Sequence, residues 1–299
     1  MNSNHSKKLI VIAGPTAVGK TDFAIQLAKY LKTEIISADS RQIYKELSIG
    51  TAKPNAEQLK EVKHHFVGNI SIHDYYNAAR FELEVINLLS SLFKNHDYLV
   101  MVGGSGLYID TVCNGIDDLP DVDEELRKEL NLLYKKEGID SIRNKLKELD
   151  PEFYKIIDQS NPKRIIRALE VCMATGIKYS EQRTNNKKNR EFEIIKIALN
   201  LDRNILYDKV NLRVDQMINE GLVDEAKNLY QYRNLNALNT VGYKELFDYF
   251  SGSIGLEKAI ENIKTSSRRY AKRQLTWFRK DPSYQWFHPS EFEKVIRLF

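Results

Sequence analysis

The sequence predicts an α/β fold: a doubly wound parallel sheet that carries a helical insertion and is completed by a helical C-terminal region. Three observations predict it. A short apolar run leads through a glycine-rich loop into a helix. Strand-like and helix-like segments alternate over the first hundred residues. Strand signals then vanish between residues 117 and 190 before one returns.

The elements follow in order. Residues 9–13 (LIVIA) are apolar and partly β-branched, as expected of a parallel strand buried on both faces. A glycine loop follows, then a helix over 21–31 and a second strand over 34–38 (EIISA). Residues 78–94 carry helical spacing, with Phe81, Val85, Leu88, Leu89 and Leu92 on one side. Residues 98–102 (YLVMV) form a third strand, ending at Gly103-Gly104. Asp150-Pro151 and Asn161-Pro162 pair an N-cap with a first-turn proline, so each starts a helix. The insertion closes on the solvated run Lys187-Lys188-Asn189-Arg190, and residues 194–201 (IIKIALNL) return as a strand. Residues 207–219, 223–229 and 257–278 read as helices. The expected division is 1–116 for the first part of the core, 117–190 for the insertion and 191–299 for completion of the core.

Bulk properties narrow the class. Apolar residues make up 42% of the 299, enough for a core, and 29% are charged, as in a soluble protein. The net charge of +4 is mild, so its distribution matters more than its size. Cys113 and Cys172 make neither a metal finger nor a disulfide framework, which points to a reducing cytoplasm. Residues 1–8 are polar and lack the apolar stretch of a signal peptide, and no run of about 18 apolar residues follows. No membrane association is expected.

The strongest motif is Gly14-Pro15-Thr16-Ala17-Val18-Gly19-Lys20-Thr21, which fits G-x-x-x-x-G-K-[ST] between a strand and a helix. It predicts a P-loop NTPase-like core. Backbone N–H groups and the helix N-terminus favour phosphate oxygens, Lys20 contacts them, and the Thr21 hydroxyl suits Mg²⁺. Such loops commonly serve nucleotide (ATP) binding, yet this one reads only polyphosphate. Asp39 in Ser37-Ala-Asp39-Ser40-Arg41-Gln42-Ile-Tyr44 sits at a strand's C-terminal end, where open sheets bind ligands. It can act as a general base, or instead cap a helix or serve Mg²⁺. Gly103-Gly-Ser105-Gly106-Leu-Tyr108 permits close backbone approach or is a plain turn. Arg164 and Arg167 share a helix face that grips phosphates or is merely solvated. From Asn262 to Lys280 there are seven basic residues and no acidic one, interleaved with Tyr270, Trp277 and Phe278. That pattern suits an RNA strand, or a basic helix with core aromatics. His64-His65 reads as a structural pair, Leu206, Val210, Val214 and Met217 as core, and Gly242–Glu245 as a turn. Arg203 and Arg213 are placed to reach phosphates.

The ordered set of motifs resembles the bacterial tRNA dimethylallyltransferase family. It comprises GPTAVGKT, SADSRQIY at 37–44, GTAKP at 50–54, His64-His65, GGSGLY at 103–108, NPKRIIRALE at 161–170, GLVDEA at 221–226, VGYKE at 241–245 and RRYAKRQLTWFRK at 268–280. The resemblance implies transfer of a dimethylallyl group from its pyrophosphate, with Mg²⁺, to N6 of the adenosine 3′ of the anticodon. It makes Asp39 the general base and gives Thr16 to Thr21 the donor pyrophosphate. Arg213 is implied to assist at the pyrophosphate, with Lys209 standing where a further arginine is expected. It assigns Asp39, Ser40, Arg41, Gln42, Ser105, Arg127, Lys163, Arg164, Ile165, Ile166, Arg167, Asn239, Thr240, Val241, Gly242, Tyr243 and Lys244 to the tRNA anticodon stem-loop. The expected form is a cytoplasmic monomer that needs no protein partner. The rival readings are a P-loop small-molecule kinase, which leaves the basic aromatic C-terminus unexplained, a free-adenylate isopentenyltransferase, which needs no RNA-gripping insertion, and a non-catalytic RNA-binding GTPase-like module, which needs a base-specificity motif that the sequence does not display.

Overall fold

A computed structural model describes residues 7–120, 123–184 and 186–299; residues 1–6 of the polar N-terminal stretch lie outside them. The chain divides into two compact units, one of residues 1–113 with 189–299 and one of residues 114–188.

The first unit carries a six-stranded sheet. In chain order its first half runs β1 (Lys8–Ala13), α1 (Lys20–Leu31), β2 (Ile35–Ser37), α2 (Ala56–Glu61), β3 (His64–His65), α3 (Ala78–Leu92), β4 (Tyr98–Gly103) and α4 (Gly106–Asn114). The sheet order is β3-β2-β4-β1, continued by β5 (Glu193–Leu199) and β6 (Gln285–Phe287), and every pairing is parallel. β1 lies between β4 and β5, which is why its residues are apolar without alternation. The strand period sends Leu9, Val11 and Ala13 into one core, with Phe81, Val85 and Leu89 of α3. Ile10 and Ile12 enter the other, with Phe23, Ala24 and Leu27 of α1. Both faces are therefore covered, as the doubly wound prediction requires.

The second unit is helical: α5 (Glu124–Glu137), α6 (Ile139–Leu149), α7 (Pro151–Ile156), α8 (Pro162–Thr175) and α9 (Tyr179–Gln182). Its core holds Leu130, Ile142, Leu146, Phe153, Ile165 and Leu169. The two cap-and-proline signals behave as expected. Asp150 Oδ1 accepts from Phe153 N at 2.9 Å, and Asn161 Oδ1 accepts from Arg164 N at 3.3 Å. Asp150 is wholly buried and also accepts from Ser180 N and Oγ, at 2.7 and 2.8 Å, so it fastens α7 to α9.

After β5 the first unit continues through α10 (Arg203–Asn219), α11 (Leu222–Leu229), α12 (Tyr243–Phe250) and α13 (Leu256–Phe278), and ends beyond β6 with α14 (Phe292–Ile296). Residues 242–245, read from sequence as a turn, instead begin α12. Gly242 holds a positive φ of 96°, and its N–H bonds back to Glu245 Oε2 at 2.8 Å, a side chain one turn into the helix.

Candidate active site

A cleft of about 1320 Å³ opens at the C-terminal end of the sheet, lined only by residues of the first unit. One wall is the phosphate loop. Thr16, Ala17, Gly19, Lys20 and Thr21 line the cleft. Gly14, Pro15 and Val18 are buried behind it, so they shape the loop rather than face a ligand. Gly19 turns left-handed, φ 97°, where the chain enters α1. Lys20 Nζ donates to Pro15 O at 2.6 Å, folding back over its own loop. The Thr16 N–H donates to Gln274 Oε1 at 2.8 Å, so this amide is already spent.

The facing wall carries Asp39, Ser40, Arg41 and Gln42, with Lys209 and Arg213 from α10. Asp39 lies two residues beyond the end of β2. It caps no helix: its Oδ1 accepts from the N–H groups of Arg41, 2.9 Å, and Gln42, 3.2 Å, holding a turn. Among the described residues, Oδ2 has no protein hydrogen-bond partner. Gln42 is occupied internally. Its Nε2 donates to Thr51 O and Ala52 O at 3.2 and 3.0 Å, and its Oε1 accepts from Ser37 Oγ at 3.2 Å. Arg41 Nη1 donates to Asn236 O at 3.0 Å. Ser105 does not line the cleft, but its Oγ accepts from Ser40 N at 3.0 Å and donates to Ser40 Oγ at 3.2 Å.

These groups share one field. Burial brings the Lys20 ammonium down to about 7; Arg213 pushes the same way and Asp39 opposes. Burial also lowers Arg213, opposed by Asp39 and then Glu220. Burial raises the Tyr270 hydroxyl to about 12. Two desolvated cations, neither held in a salt bridge among the described residues, suit an anionic ligand, which would favour their charged forms.

Asn239, Thr240, Val241, Gly242 and Lys244 line the cleft as well. Tyr243 does not. It is wholly buried, and its hydroxyl donates to Glu225 Oε1 at 2.6 Å, so its side chain anchors the segment whose neighbours line the cleft. Sequence reasoning missed Glu225. Its carboxylate also accepts from Ser48 N (3.0 Å), Ile49 N (2.9 Å) and Gly50 N (3.0 Å), pinning the loop that lines the cleft beside Asn239–Lys244. The motifs GTAKP, GLVDEA and VGYKE, far apart in sequence, thus meet at one carboxylate. Gln274 was missed too; a polar residue at a core position of α13 was its signal.

In the helical unit, Lys163 and Arg164 are exposed at the start of α8. Ile165 and Ile166 are buried in that unit's core, so their side chains hold α8 in place while the exposed positions of the segment are Lys163 and Arg164. Arg127 makes a two-pronged pair with the buried Glu170, Nε–Oε1 2.6 Å and Nη2–Oε2 2.9 Å. Arg167 approaches the same carboxylate at 3.7 Å and donates to Pro120 O at 3.3 Å.

The C-terminal basic run divides by face. Arg269, Tyr270, Arg273 and Gln274 line the cleft. Phe278 is buried, and Trp277 is half-buried with Nε1 donating to Asp110 Oδ2 at 2.8 Å. Of the histidine pair, His65 Nε2 meets Glu34 Oε2 at 2.5 Å; His64 Nδ1 meets Val62 O at 2.8 Å, while its Nε2 is buried without a hydrogen-bond partner among the described residues and the residue lines the cleft. Arg203, expected near phosphates, lies outside the cleft, with its guanidinium 5.2 Å from the Tyr207 ring centroid. Leu206, Val210 and Val214 are core. Among the described residues, no group of three His, Cys, Asp or Glu side chains can hold a metal, and no helix is long and apolar enough to cross a membrane.

The IPP transferase family model matches residues 42–281. The chain is 53% identical over 291 residues to tRNA dimethylallyltransferase 1 of Bacteroides fragilis, with 97% of each chain covered. The full-length tRNA isopentenylpyrophosphate transferase of Bacillus halodurans is 37% identical, with a TM-score of 0.72 over 98% of this chain and 95% of that one. A eukaryotic dimethylallyltransferase acting on tRNA is 30% identical, with a TM-score of 0.74 over 91% of this chain and 70% of that one. With a family match over most of its length and relatives this similar across nearly all of it, the chain belongs to the IPP transferase family.

Proposed function

We propose that the protein transfers a dimethylallyl group from dimethylallyl pyrophosphate to N6 of the adenosine 3′-adjacent to the anticodon in tRNA, releasing pyrophosphate. The observation that carries this is the single cleft shared by Lys20, Thr21, Arg213 and Asp39. Relatives named for acting on tRNA favour RNA over free adenylate as the acceptor.

The residues divide the work by chemistry. Lys20, the loop amides of residues 17–21 and Arg213 hold the pyrophosphate and neutralise the charge that grows on it as the C–O bond breaks. The amine of adenine is a poor nucleophile because its lone pair is delocalised. As the C–N bond forms, its proton passes to Asp39, whose Oδ1 is fixed by two backbone N–H groups and whose Oδ2 is left to take it. The target base is flipped out of the loop to enter the cleft. Mg²⁺ fits the Thr21 hydroxyl: it keeps several waters and relies on substrate phosphates, so it does not need a cage of protein carboxylates. When bound, it adds positive charge against the leaving group. Arg164, Arg167, Arg127 and Lys163 serve the anticodon stem-loop. The free buried thiols of Cys113 and Cys172 suit the cytoplasm.

The loop reads phosphates and not adenine, so no nucleoside triphosphate is required. Incubation of tRNA with the protein, Mg²⁺ and dimethylallyl pyrophosphate alone should yield N6-dimethylallyl adenosine on nucleoside mass spectrometry, plus free pyrophosphate. Strict dependence on ATP, or phosphate transfer to a small molecule, overturns the reading.

A further inference from the structure

Gln274 occupies a position where α13 is otherwise apolar. Ile263, Ala271 and Phe278 are buried on the same helix, and Gln274 itself is only 6% exposed. A buried amide needs both its donor and its acceptor satisfied, and here both partners are backbone groups of the active-site loops. Oε1 accepts from Thr16 N at 2.8 Å, in the phosphate loop after β1. Nε2 donates to Gly104 O at 2.9 Å, in the loop after β4. These strands are neighbours, with Ala13 registered against Gly103, so a single side chain bridges two adjacent strand ends.

One residue beyond Gly104, the Ser105 N–H donates to Ala38 O at 3.3 Å, and Ser105 Oγ accepts from the Ser40 N–H and donates to the Ser40 hydroxyl, in the residue after Asp39. Gln274 thus reaches the phosphate loop through Oε1 and, by way of Gly104 and Ser105, the Asp39 turn through Nε2. Gly104 leaves room for this arrangement: a Cβ there would lie 2.2 Å from Gln274 Nε2.

We propose that Gln274 is a positioning residue that sets the phosphate loop against the Asp39 turn, fixing the distance between donor pyrophosphate and general base. Its own amide is spent on two backbone partners; it consumes the Thr16 amide and so dictates which loop amides remain for phosphate. The proposal rests on the function proposed above.

The test uses Gln274→Met, which keeps shape and loses both hydrogen bonds, with pyrophosphate plus Mg²⁺ and unmodified tRNA as separate probes in calorimetry. The expected result is roughly tenfold weaker pyrophosphate binding, with tRNA affinity within twofold of wild type. Unchanged pyrophosphate affinity, even with a lowered melting temperature, overturns the proposal. So does equal weakening of both ligands, which is what loss of general stability would produce. Should Gln274→Met not fold, Gly104→Ala, which displaces the same amide, is read by the same criteria. Failure of the wild-type protein to bind pyrophosphate would instead overturn the function itself, and the positioning role with it.

Discussion

In the sheet-bearing unit, Lys20 and Arg213 are desolvated at the cleft, and neither forms a salt bridge among the described residues. In the helical unit, Arg127 and Arg167 converge on the buried carboxylate of Glu170. The difference teaches where binding energy resides. A buried cation that lacks a carboxylate is costly until an anion arrives, so a pyrophosphate gains strongly from meeting it. An arginine already paired is held in a set orientation, and a further phosphate adds less. The cleft thus holds cations that an anion would stabilise, while two arginines of the helical unit already share a carboxylate.

The largest test of this contrast removes the Asp39 carboxylate. Asp39→Ala should lower turnover by ~10²–10⁴-fold while leaving tRNA binding within about twofold. Single-turnover kinetics alongside a filter-binding assay would decide it, and turnover within twofold of wild type would refute the role of base.

The next perturbs the helical unit. Arg164→Glu combined with Arg167→Glu should weaken tRNA binding by about tenfold or more and flatten its salt dependence, because phosphate contacts release counterions. Donor affinity should stay the same. Fluorescence polarisation showing unaltered tRNA affinity would make these arginines structural.

A smaller effect follows from Lys20. In the free protein its ammonium titrates near 7, and a bound anion favours the charged form. Above pH 7 pyrophosphate binding must therefore take up a proton, and affinity should fall as pH rises, by up to about tenfold per unit. Below that pH the uptake vanishes. Calorimetry at pH 8 in buffers of different ionisation enthalpy, wild type against Lys20→Arg, measures it. Equal proton uptake by the two proteins would exclude Lys20 as the group responsible.

The smallest effect on chemistry is expected from Trp277→Ala. This Trp contacts Asp110 through its indole N–H and packs against the main core. The variant should lose about 3 kcal/mol of stability and keep near-normal tRNA affinity at low temperature. An unchanged melting temperature with weakened tRNA binding would instead mark Trp277 as a stacking platform, worth ~1–3 kcal/mol.

Much of the fold was legible because the signals were local. The strand at Leu9–Ala13 announces itself by five apolar residues, and the starts of α7 and α8 by an Asn or Asp before proline. β3 and β6 were not legible: two or three residues show no period, and they are strands only because a neighbour pairs with them. α12 was hidden because Gly242 has the chemistry of a turn, and only its bond to Glu245 makes it a helix start. The helical insertion expected at 117–190 stands beside a compact unit of residues 114–188; contacts, which a sequence does not display, set those borders.

The sequence by itself determined the phosphate loop, the carboxylate after β2 and the basic character of α13, since each depends on residue types a few positions apart. Tertiary structure alone decided which side chains are available. Asp39 and Arg213 lie 174 positions apart, yet they share one field. Tyr243 left the surface for Glu225, Ile165 and Ile166 joined a core, and Gln274 took the Thr16 amide. Burial and hydrogen-bond satisfaction depend on what the rest of the chain brings alongside, so no local pattern can state them.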